Sequence, residues 1–313
     1  MADSSSLIHQ STPELRNRLR KLVLDSVVAD ESKRAYGRCL DNFFDWFETE
    51  HPSTGFSRAT IQSYRTLVIS HKLSSSSVNL HLTALRRMAG EAAGNGLLSS
   101  EVAASVVQIH GVKRHGLRIG KWLTIQEAEQ LMGAPSATTL KGKRDRSILA
   151  ILIGAGLRRK EVARLTVEHI QQREGRWIIT DMLGKGGRIR SVPMPVFAKT
   201  ALDAWLQAAN LTSGRVFRAI NKGGKISEKG IGGQAVFEIV KEYSTQSGLT
   251  GITPHHLRRT FSRLAHNGKS SLEQIQLSLG HCQIATTTAY VGVQQDLNDA
   301  PCDHLGIGMA SST

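Results

Sequence analysis

The sequence is 313 residues long, and its 40 lysine and arginine residues against 26 aspartate and glutamate residues give a formal net charge of +14. Such a charge favours a polyanionic partner, and DNA, RNA and an anionic membrane surface would each satisfy it. No apolar run reaches the roughly 18 residues of a transmembrane helix, and residues 1–14 lack the pattern of a secretory signal. We therefore expect a cytoplasmic protein that does not enter a membrane.

The sequence does not indicate metal binding. Its cysteines, Cys39, Cys282 and Cys302, are widely spaced, which suits a reducing compartment better than a disulfide framework. No two of them have zinc-finger spacing, and no H-E-x-x-H motif occurs. We expect neither a metal nor another cofactor.

The first part of the chain is predicted to be helical. Between residues 13 and 107, apolar residues recur at three- and four-residue steps. The segment 75–93 has an apolar face and a second face that carries His81, Arg86 and Arg87. We predict a small all-helical domain over residues 12–107, with Arg86 and Arg87 as candidate DNA contacts. A solvated helix face without a ligand is the alternative for both arginines.

A basic segment separates this domain from the rest of the chain. Residues 108–121 show little apolar periodicity and contain Lys113 and Arg114, which could lie along a phosphate backbone. We interpret the segment as a linker and both residues as candidate DNA contacts. The second domain then extends over residues 122–313, including a C-terminal tail.

The second domain is predicted to combine helices with a small antiparallel β-sheet. Thr124 and Glu127 have the spacing of a capping box, and helical spacing continues over 143–165 with an interruption at 154–156. Residues 177–195 change to strand-like spacing around a glycine-rich turn, which predicts a β-hairpin. Further helices are predicted at 198–209, at 234–246, after Thr253 and after Ser271, and a glycine- and lysine-rich loop is predicted at 221–233. The expected fold is mainly α, with an α+β second domain.

Four short clusters in this domain carry reactive side chains. They are G-L-R-R-K-E at 156–161, G-K-G-G-R at 184–188, H-H-L-R at 255–258, and L-G-H at 279–281 followed by Tyr290. Each cluster alone has an ordinary explanation, such as a solvated cation, a capping histidine or a half-buried tyrosine. Nucleotide-binding interpretations are weak, because residues 154–159 lack the last glycine of a dinucleotide fingerprint and G-K-G-G-R lacks the flanking residues of a P-loop.

Together, the clusters supply what transesterification at a DNA phosphodiester requires. Arginine guanidinium groups are permanently charged and can form bidentate hydrogen bonds to the non-bridging oxygens. They can thereby stabilise negative charge in place of a metal ion. Histidines move protons near neutral pH, and a lysine on a turn can donate to the departing oxygen. A tyrosine forms a covalent ester that conserves bond energy, so religation needs no ATP.

The order of the clusters is similar to the catalytic signature of the tyrosine recombinase, or phage integrase, family, and the likeness extends over most of residues 122–292. The resemblance implies that Arg158 and Arg258 clamp the scissile phosphate. It also implies that Lys185 is the general acid for the leaving 5′-hydroxyl and that Tyr290 attacks to form a 3′-phosphotyrosine.

The same resemblance assigns three further residues. His255 would assist proton transfer or orient the phosphate, and His281 would donate a hydrogen bond to a non-bridging oxygen. Glu161, one helical turn after the first arginine, resembles the family's supporting acidic residue.

The resemblance also implies a partner and an assembly. Residues 12–107 would be a core-binding domain, the partner would be double-stranded DNA, and a homotetramer would hold two recombination sites. Type IB topoisomerase-like relaxation and a non-catalytic DNA-binding protein of the same fold are the alternatives, and the complete set of catalytic residue types argues against the second. A basic RNA-binding protein would leave the ordered signature unexplained.

Overall fold

The computed structural model describes residues 12–50, 55–113, 120–183, 189–221 and 223–291. These residues form two compact units that divide after residue 116, inside the segment predicted to be a linker. Ile109 is buried in the core of the first unit and Val112 packs against that core. The first part of the predicted linker is therefore packed on the helical unit.

The first unit is all-helical in its described residues, as the apolar spacing predicted. Four of its helices begin at a serine or threonine, Thr12, Ser57, Ser74 or Ser99, whose side chain accepts a hydrogen bond from the backbone N–H three residues later. The helices are α1 (Pro13–Asp25), α2 (Asp30–Glu50), α3 (Arg58–Ser70), α4 (Ser75–Gly94) and α5 (Ser100–Val107).

Aromatic side chains dominate the core of this unit. Phe43, Phe44 and Phe47 of α2 are buried, and the ring of Phe43 meets that of Tyr64 edge-on with centroids 5.1 Å apart. The placement of His81 on the solvent face of α4 was wrong. Its side chain is buried, and its Nδ1 lies 3.0 Å from the Tyr64 hydroxyl, because it falls on the apolar stripe and finds a polar partner there.

The second unit contains eight further helices among its described residues. Thr124 and Glu127 form the predicted capping box, with Glu127 accepting from the Thr124 backbone N–H at 2.8 Å. The helices are α6 (Ile125–Gly133), α7 (Leu140–Gly154), α8 (Arg159–Arg164), α9 (Val196–Ala208), α10 (Gly233–Gln246), α11 (Pro254–Asn267), α12 (Leu272–Leu279) and α13 (Ile284–Val291). No helix in the described parts of the chain is long and apolar enough to cross a membrane.

Two antiparallel sheets complete this unit. The predicted hairpin is confirmed as the central and last strands of the order β1 (Ile170–Arg173), β2 (Arg176–Leu183) and β3 (Ile189–Pro193), with Ile179 opposite Val192. The segment predicted as a loop at 221–233 contains a strand, β5 (Ile226–Gly230), which pairs with β4 (Arg218–Ile220). The prediction missed this hairpin and β1 because short, largely polar strands lack a clear alternation.

The core of the second unit is built around α7. Residues 148–153 of this helix are all buried, so it is apolar on every side rather than on one stripe. It packs against α9, where Trp205 is fully buried and its indole N–H donates to the carbonyl of Val216 at 2.9 Å. The helix α7 also packs against α11, and Arg258 of α11 donates to the carbonyl of Gly156, the first residue of the G-L-R-R-K-E cluster that follows α7.

Candidate active site

Arg158 lies at the turn between α7 and α8. The turn requires Gly156, whose φ is +59° and whose added Cβ would approach Phe261 to 2.6 Å. The backbone N–H of Arg158 donates to Glu161 Oε2 at 2.8 Å, and its guanidinium donates to Glu161 Oε1 at 2.8 Å. The Arg158 side chain keeps 36% of its surface exposed, so part of its charge faces the outside of the fold.

Glu161 is buried, and its carboxylate accepts hydrogen bonds from two arginines, Arg158 and Arg190. Arg190 of β3 donates from both terminal nitrogens to the Glu161 carboxylate, at 3.1 and 2.9 Å. Burial acts to raise the pKa of Glu161, but the hydrogen bonds and charge of Arg190, followed by those of Arg158, lower it below its ordinary value. Sequence reasoning missed Arg190, because an arginine in an alternating strand carries no distinctive signal.

Arg258 is a buried residue of α11. It is 2% exposed, one terminal nitrogen donates to the carbonyl of Gly156 at 2.6 Å, and the other donates to the carbonyl of Leu279. Within the described residues its Nε has no hydrogen-bond partner. Burial and then the charge of Arg158 lower the pKa of Arg258 to about 9, so the side chain still carries its charge at neutral pH.

His255 and Tyr290 meet across two helices. His255 lies one turn before Arg258 on the same face of α11, and Tyr290 lies on α13. The Tyr290 hydroxyl is 3.2 Å from each ring nitrogen of His255, and the two rings meet edge-on. Burial lowers the pKa of His255, and neighbouring positive charges, with Arg259 first, lower it further.

His281 approaches Tyr290 from the other side. Gly280, with a φ of +62°, ends α12 and turns the chain so that His281 follows directly. The His281 ring is 4.8 Å from the Tyr290 ring, and its Nδ1 is 3.0 Å from Oγ1 of the buried Thr287. Burial, followed by the charge of Arg258, lowers the pKa of His281 to about 4. Thr287 was also missed, although it lies one helical turn before Tyr290.

The two predicted clamp arginines, Arg158 and Arg258, line one cavity of about 420 Å³. Its lining is strongly basic, with one aromatic side chain, and consists of Arg158, Arg159, Lys160, Phe237, Thr253, Pro254, His255 and Arg258. The guanidinium of Arg159 lies over the Phe237 ring at 5.7 Å, and that of Arg259 lies over the Tyr290 ring at 5.2 Å. Both neighbours of the two predicted clamp arginines are therefore stacked on aromatic rings.

The fold thus assembles most of the predicted site residues. It brings together Arg158, Glu161, His255, Arg258, His281 and Tyr290. Lys185 and Arg114 lie outside the described residues. In the described part of the chain, no group of three or more histidine, cysteine, aspartate or glutamate side chains is arranged to hold a metal ion.

Two of the candidate DNA contacts in the first unit, Arg86 and Arg87, form hydrogen bonds within that unit. Arg86 is half-buried and donates to the carbonyl of Ile109. Arg87 donates from Nε to Ser26 Oγ at 2.8 Å and from a terminal nitrogen to the Ser26 carbonyl at 2.7 Å. Lys113 is exposed. Arg86 and Arg87 therefore have structural contacts within the helical unit.

Comparison with known proteins identifies the family of this chain. The model of the phage integrase family matches residues 121–296, which is more than half of the chain. The chain therefore belongs to the phage integrase family and is a tyrosine recombinase family member. The family resemblance predicted from the sequence is confirmed.

Individual relatives are distant but cover most of the chain. The chain is 27% identical over 285 residues to "Tyrosine recombinase XerD" of Listeria innocua, an alignment that covers 88% of this chain and 92% of that protein. It is similar in structure to the XerH site-specific recombinase bound to palindromic difH substrate in a post-cleavage complex, with a TM-score of 0.69, 18% identity, and coverage of 92% and 88%. It is also similar to the Tn1549 transposon integrase in complex with circular intermediate DNA, with a TM-score of 0.63, 15% identity, and coverage of 91% and 98%. The predicted mainly α fold with a small antiparallel sheet is confirmed, and these proteins share that fold.

Proposed function

We propose that this chain is a site-specific DNA recombinase that cleaves and rejoins DNA strands through a 3′-phosphotyrosine intermediate at Tyr290. The observation that carries the proposal is the placement of the Tyr290 hydroxyl 3.2 Å from His255, which lines one cavity with Arg158 and Arg258. A nucleophile, a proton acceptor and two arginines that are positively charged at neutral pH thus lie within one small site.

The substrate is double-stranded DNA. The net charge of +14 supports a polyanionic partner, and the basic cavity at the clamp residues suits a phosphodiester. The XerH and Tn1549 proteins of similar fold were captured with a difH substrate and with DNA. The first, helical unit would contribute to binding as a core-binding domain.

Cleavage begins at the phenol of Tyr290. Its oxygen attacks phosphorus, forms the Tyr290 Oη–P bond and breaks the bond to the 5′-oxygen, which leaves the protein joined to the 3′-phosphate. His255 accepts the phenolic proton, a role supported by the contact at 3.2 Å and by the lowered pKa that keeps its ring neutral near pH 7.

The pentacoordinate transition state gathers negative charge on the non-bridging oxygens. Arg158 and Arg258 stabilise that charge, and Arg258 is held in place because both of its terminal nitrogens bond backbone carbonyls. His281 donates from Nε2. A neutral ring can do so only if Nδ1 carries no proton, and the Thr287 hydroxyl, 3.0 Å from Nδ1, can favour that tautomer by donating to it.

The leaving 5′-oxygen takes a proton from Lys185, as the sequence motif implies. Rejoining is the reverse reaction. A 5′-hydroxyl from another strand attacks the phosphotyrosine and gives its proton to Lys185, the Tyr290 Oη–P bond breaks, and His255 returns its proton to the phenolate. The energy of the broken phosphodiester is kept in the tyrosyl ester, so no nucleotide is consumed. Exchange between two sites requires a homotetramer, and the protein would work in the cytoplasm.

The test is to trap the covalent intermediate on DNA. Sheared genomic DNA of the organism that encodes the chain is incubated with wild-type protein or with the Tyr290→Phe variant, then denatured, digested with protease and sequenced at the blocked ends. We expect wild type to leave a peptide on 3′-ends at one recurring sequence and the variant to leave none. An adduct with the variant, attachment to 5′-ends, or no adduct with wild type would contradict the proposal.

Two measurements complete this test. Tyr290→Phe should bind a duplex containing the recovered sequence within about twofold of wild type, because binding is spread over many phosphates. Relaxation of supercoiled plasmid that lacks the recovered sequence, without joining of two sites, would favour the topoisomerase-like alternative.

A further inference from the structure

Arg190 contacts two of the sequence clusters and closely follows a third in the chain, although none of them contains it. Its two terminal nitrogens bond both oxygens of Glu161, which belongs to the first cluster and in turn bonds Arg158. Its Nε donates to the carbonyl of Ser278 at 2.9 Å, close to His281 in the chain. Arg190 itself lies on β3, which begins directly after the G-K-G-G-R cluster in the sequence.

Gly280 is shaped to admit the Arg190 side chain. A Cβ at this position would approach Cδ of Arg190 to 3.0 Å and its Nε to 3.3 Å. The same glycine has a φ of +62°, which side-chain-bearing residues rarely adopt. Glycine at position 280 therefore allows both the left-handed turn that ends α12 and the close approach of the Arg190 side chain.

The charges of this chain of contacts do not cancel. Arg158 and Arg190 contribute +1 each and Glu161 contributes −1, which leaves +1 beside the cavity. The Glu161 side chain is only 7% exposed, so water screens its charge poorly. If Arg190 were neutral, the sum for Arg158 and Glu161 would be zero, and the carboxylate would compete with a bound phosphate for the Arg158 guanidinium.

We infer that Arg190 is a positioning residue that neutralises Glu161, so that Arg158 keeps both its orientation and its positive charge for the scissile phosphate. This inference depends on the proposed function, since it concerns the same phosphate site. Arg190 touches no reacting atom and acts only through Glu161 and through its bond to Ser278. Its loss therefore lowers the rate of bond breaking more than it lowers DNA affinity.

The chain offers a matched control in Arg144. This arginine is 8% exposed, bonds the fully buried carboxylate of Asp145 at 2.8 Å, and donates to the carbonyl of Arg218 at 3.1 Å. It repeats the burial and bonding of Arg190 within the same unit, but in the described residues its contacts do not include Arg158. A purely structural role predicts similar effects at the two positions.

The experiment compares four variants with wild type on a nicked duplex that carries the trapped recombination sequence. They are Arg190→Met, Arg190→Lys, Arg190→Met with Glu161→Gln, and Arg144→Met. Cleavage is measured in single turnovers at saturating DNA and is expressed per folded molecule, with the folded fraction taken from thermal unfolding. We expect Arg190→Met to cleave at least roughly tenfold more slowly than wild type, Arg190→Lys to be intermediate, and Arg144→Met to be unchanged.

The double variant decides between positioning and general destabilisation. Replacing the carboxylate of Glu161 removes the charge that Arg190 neutralised, so the double variant should cleave faster than Arg190→Met. Equal or slower cleavage, or a wild-type rate for Arg190→Met, overturns the inference. If Arg190→Met does not fold, Arg190→Gln with and without Glu161→Gln gives the same comparison. Wild-type protein reports separately on the proposed function, which fails if wild type itself forms no adduct.

Discussion

Nδ1 of His281 lies 3.0 Å from Oγ1 of Thr287, and both side chains are buried. The hydroxyl can either donate to Nδ1 or accept from it, so the direction of this hydrogen bond and the tautomer of a neutral His281 are linked. When the Thr287 hydroxyl donates to Nδ1, the proton must be on Nε2, which becomes a donor toward the site. Because the pKa of His281 is lowered to about 4, its ring is neutral near pH 7. The position of its single proton then decides whether Nε2 can donate a hydrogen bond.

Thr287→Val should therefore slow DNA cleavage while leaving the fold nearly intact. Valine has the shape of threonine without the hydroxyl, so the preference for the Nε2–H tautomer is lost, and we expect a decrease of roughly tenfold in the single-turnover rate. Thr286→Val, at an exposed position of the same helix, is the control and should cleave at the wild-type rate. Equal rates for the two variants would show that Thr287 has no part in orienting His281.

The pH dependence of cleavage should follow His255. Its folded-state pKa is lowered from 6.5 by burial and by neighbouring cations, so the ring stays neutral at pH 6.5 and gains a proton only at lower pH. The rate constant at subsaturating DNA, which reports on the free protein, should be level near pH 7 and fall below pH 6.5. The His255→Gln variant should cleave DNA more slowly, and its rate constant should not show this fall below pH 6.5. A wild-type midpoint above 6.5, or the same fall in the variant, would exclude His255 as the proton acceptor.

Lys185→Ala should cleave ordinary DNA very slowly and should recover on a substrate with a 5′-phosphorothiolate at the scissile position. A thiolate leaving group has a low pKa and needs no general acid, so the missing lysine no longer matters. Arg158→Ala is the comparison. It should not recover, because its charge acts on the non-bridging oxygens. Failure of the substituted substrate to restore Lys185→Ala would assign the lysine a different role.

Alanine variants of Arg87 and Lys113 should show which of the two residues has a structural role and which contacts DNA. Arg87 joins α4 to Ser26 at the end of α1, so Arg87→Ala should lower the unfolding free energy of the protein by up to about 1 kcal/mol, reduced by solvent exposure. Lys113→Ala should leave unfolding unchanged, weaken DNA binding and reduce the slope of log affinity against log salt by about 1. If Arg87→Ala instead weakens binding with no change in unfolding, the original prediction of a DNA contact at Arg87 is correct.

The sequence by itself determined those features that depend on residues close together in the chain. The capping pair Thr124 and Glu127 and the starts of α11 after Thr253 and of α12 after Ser271 were all predicted, because each depends on bonds within about four residues. The order of the reactive clusters also predicted the family, since that order is a property of the chain alone.

The tertiary structure alone decided which distant groups meet. Arg190 is 29 positions from Glu161, and no local pattern distinguishes it from a solvated strand arginine before the two are brought together. His81 was expected on a basic face, yet the fold buries it beside Tyr64, 17 positions away. In each case the free energy of a buried polar or charged group depends on a partner that is brought to it only by tertiary packing. The sequence therefore identifies the group but not its partner.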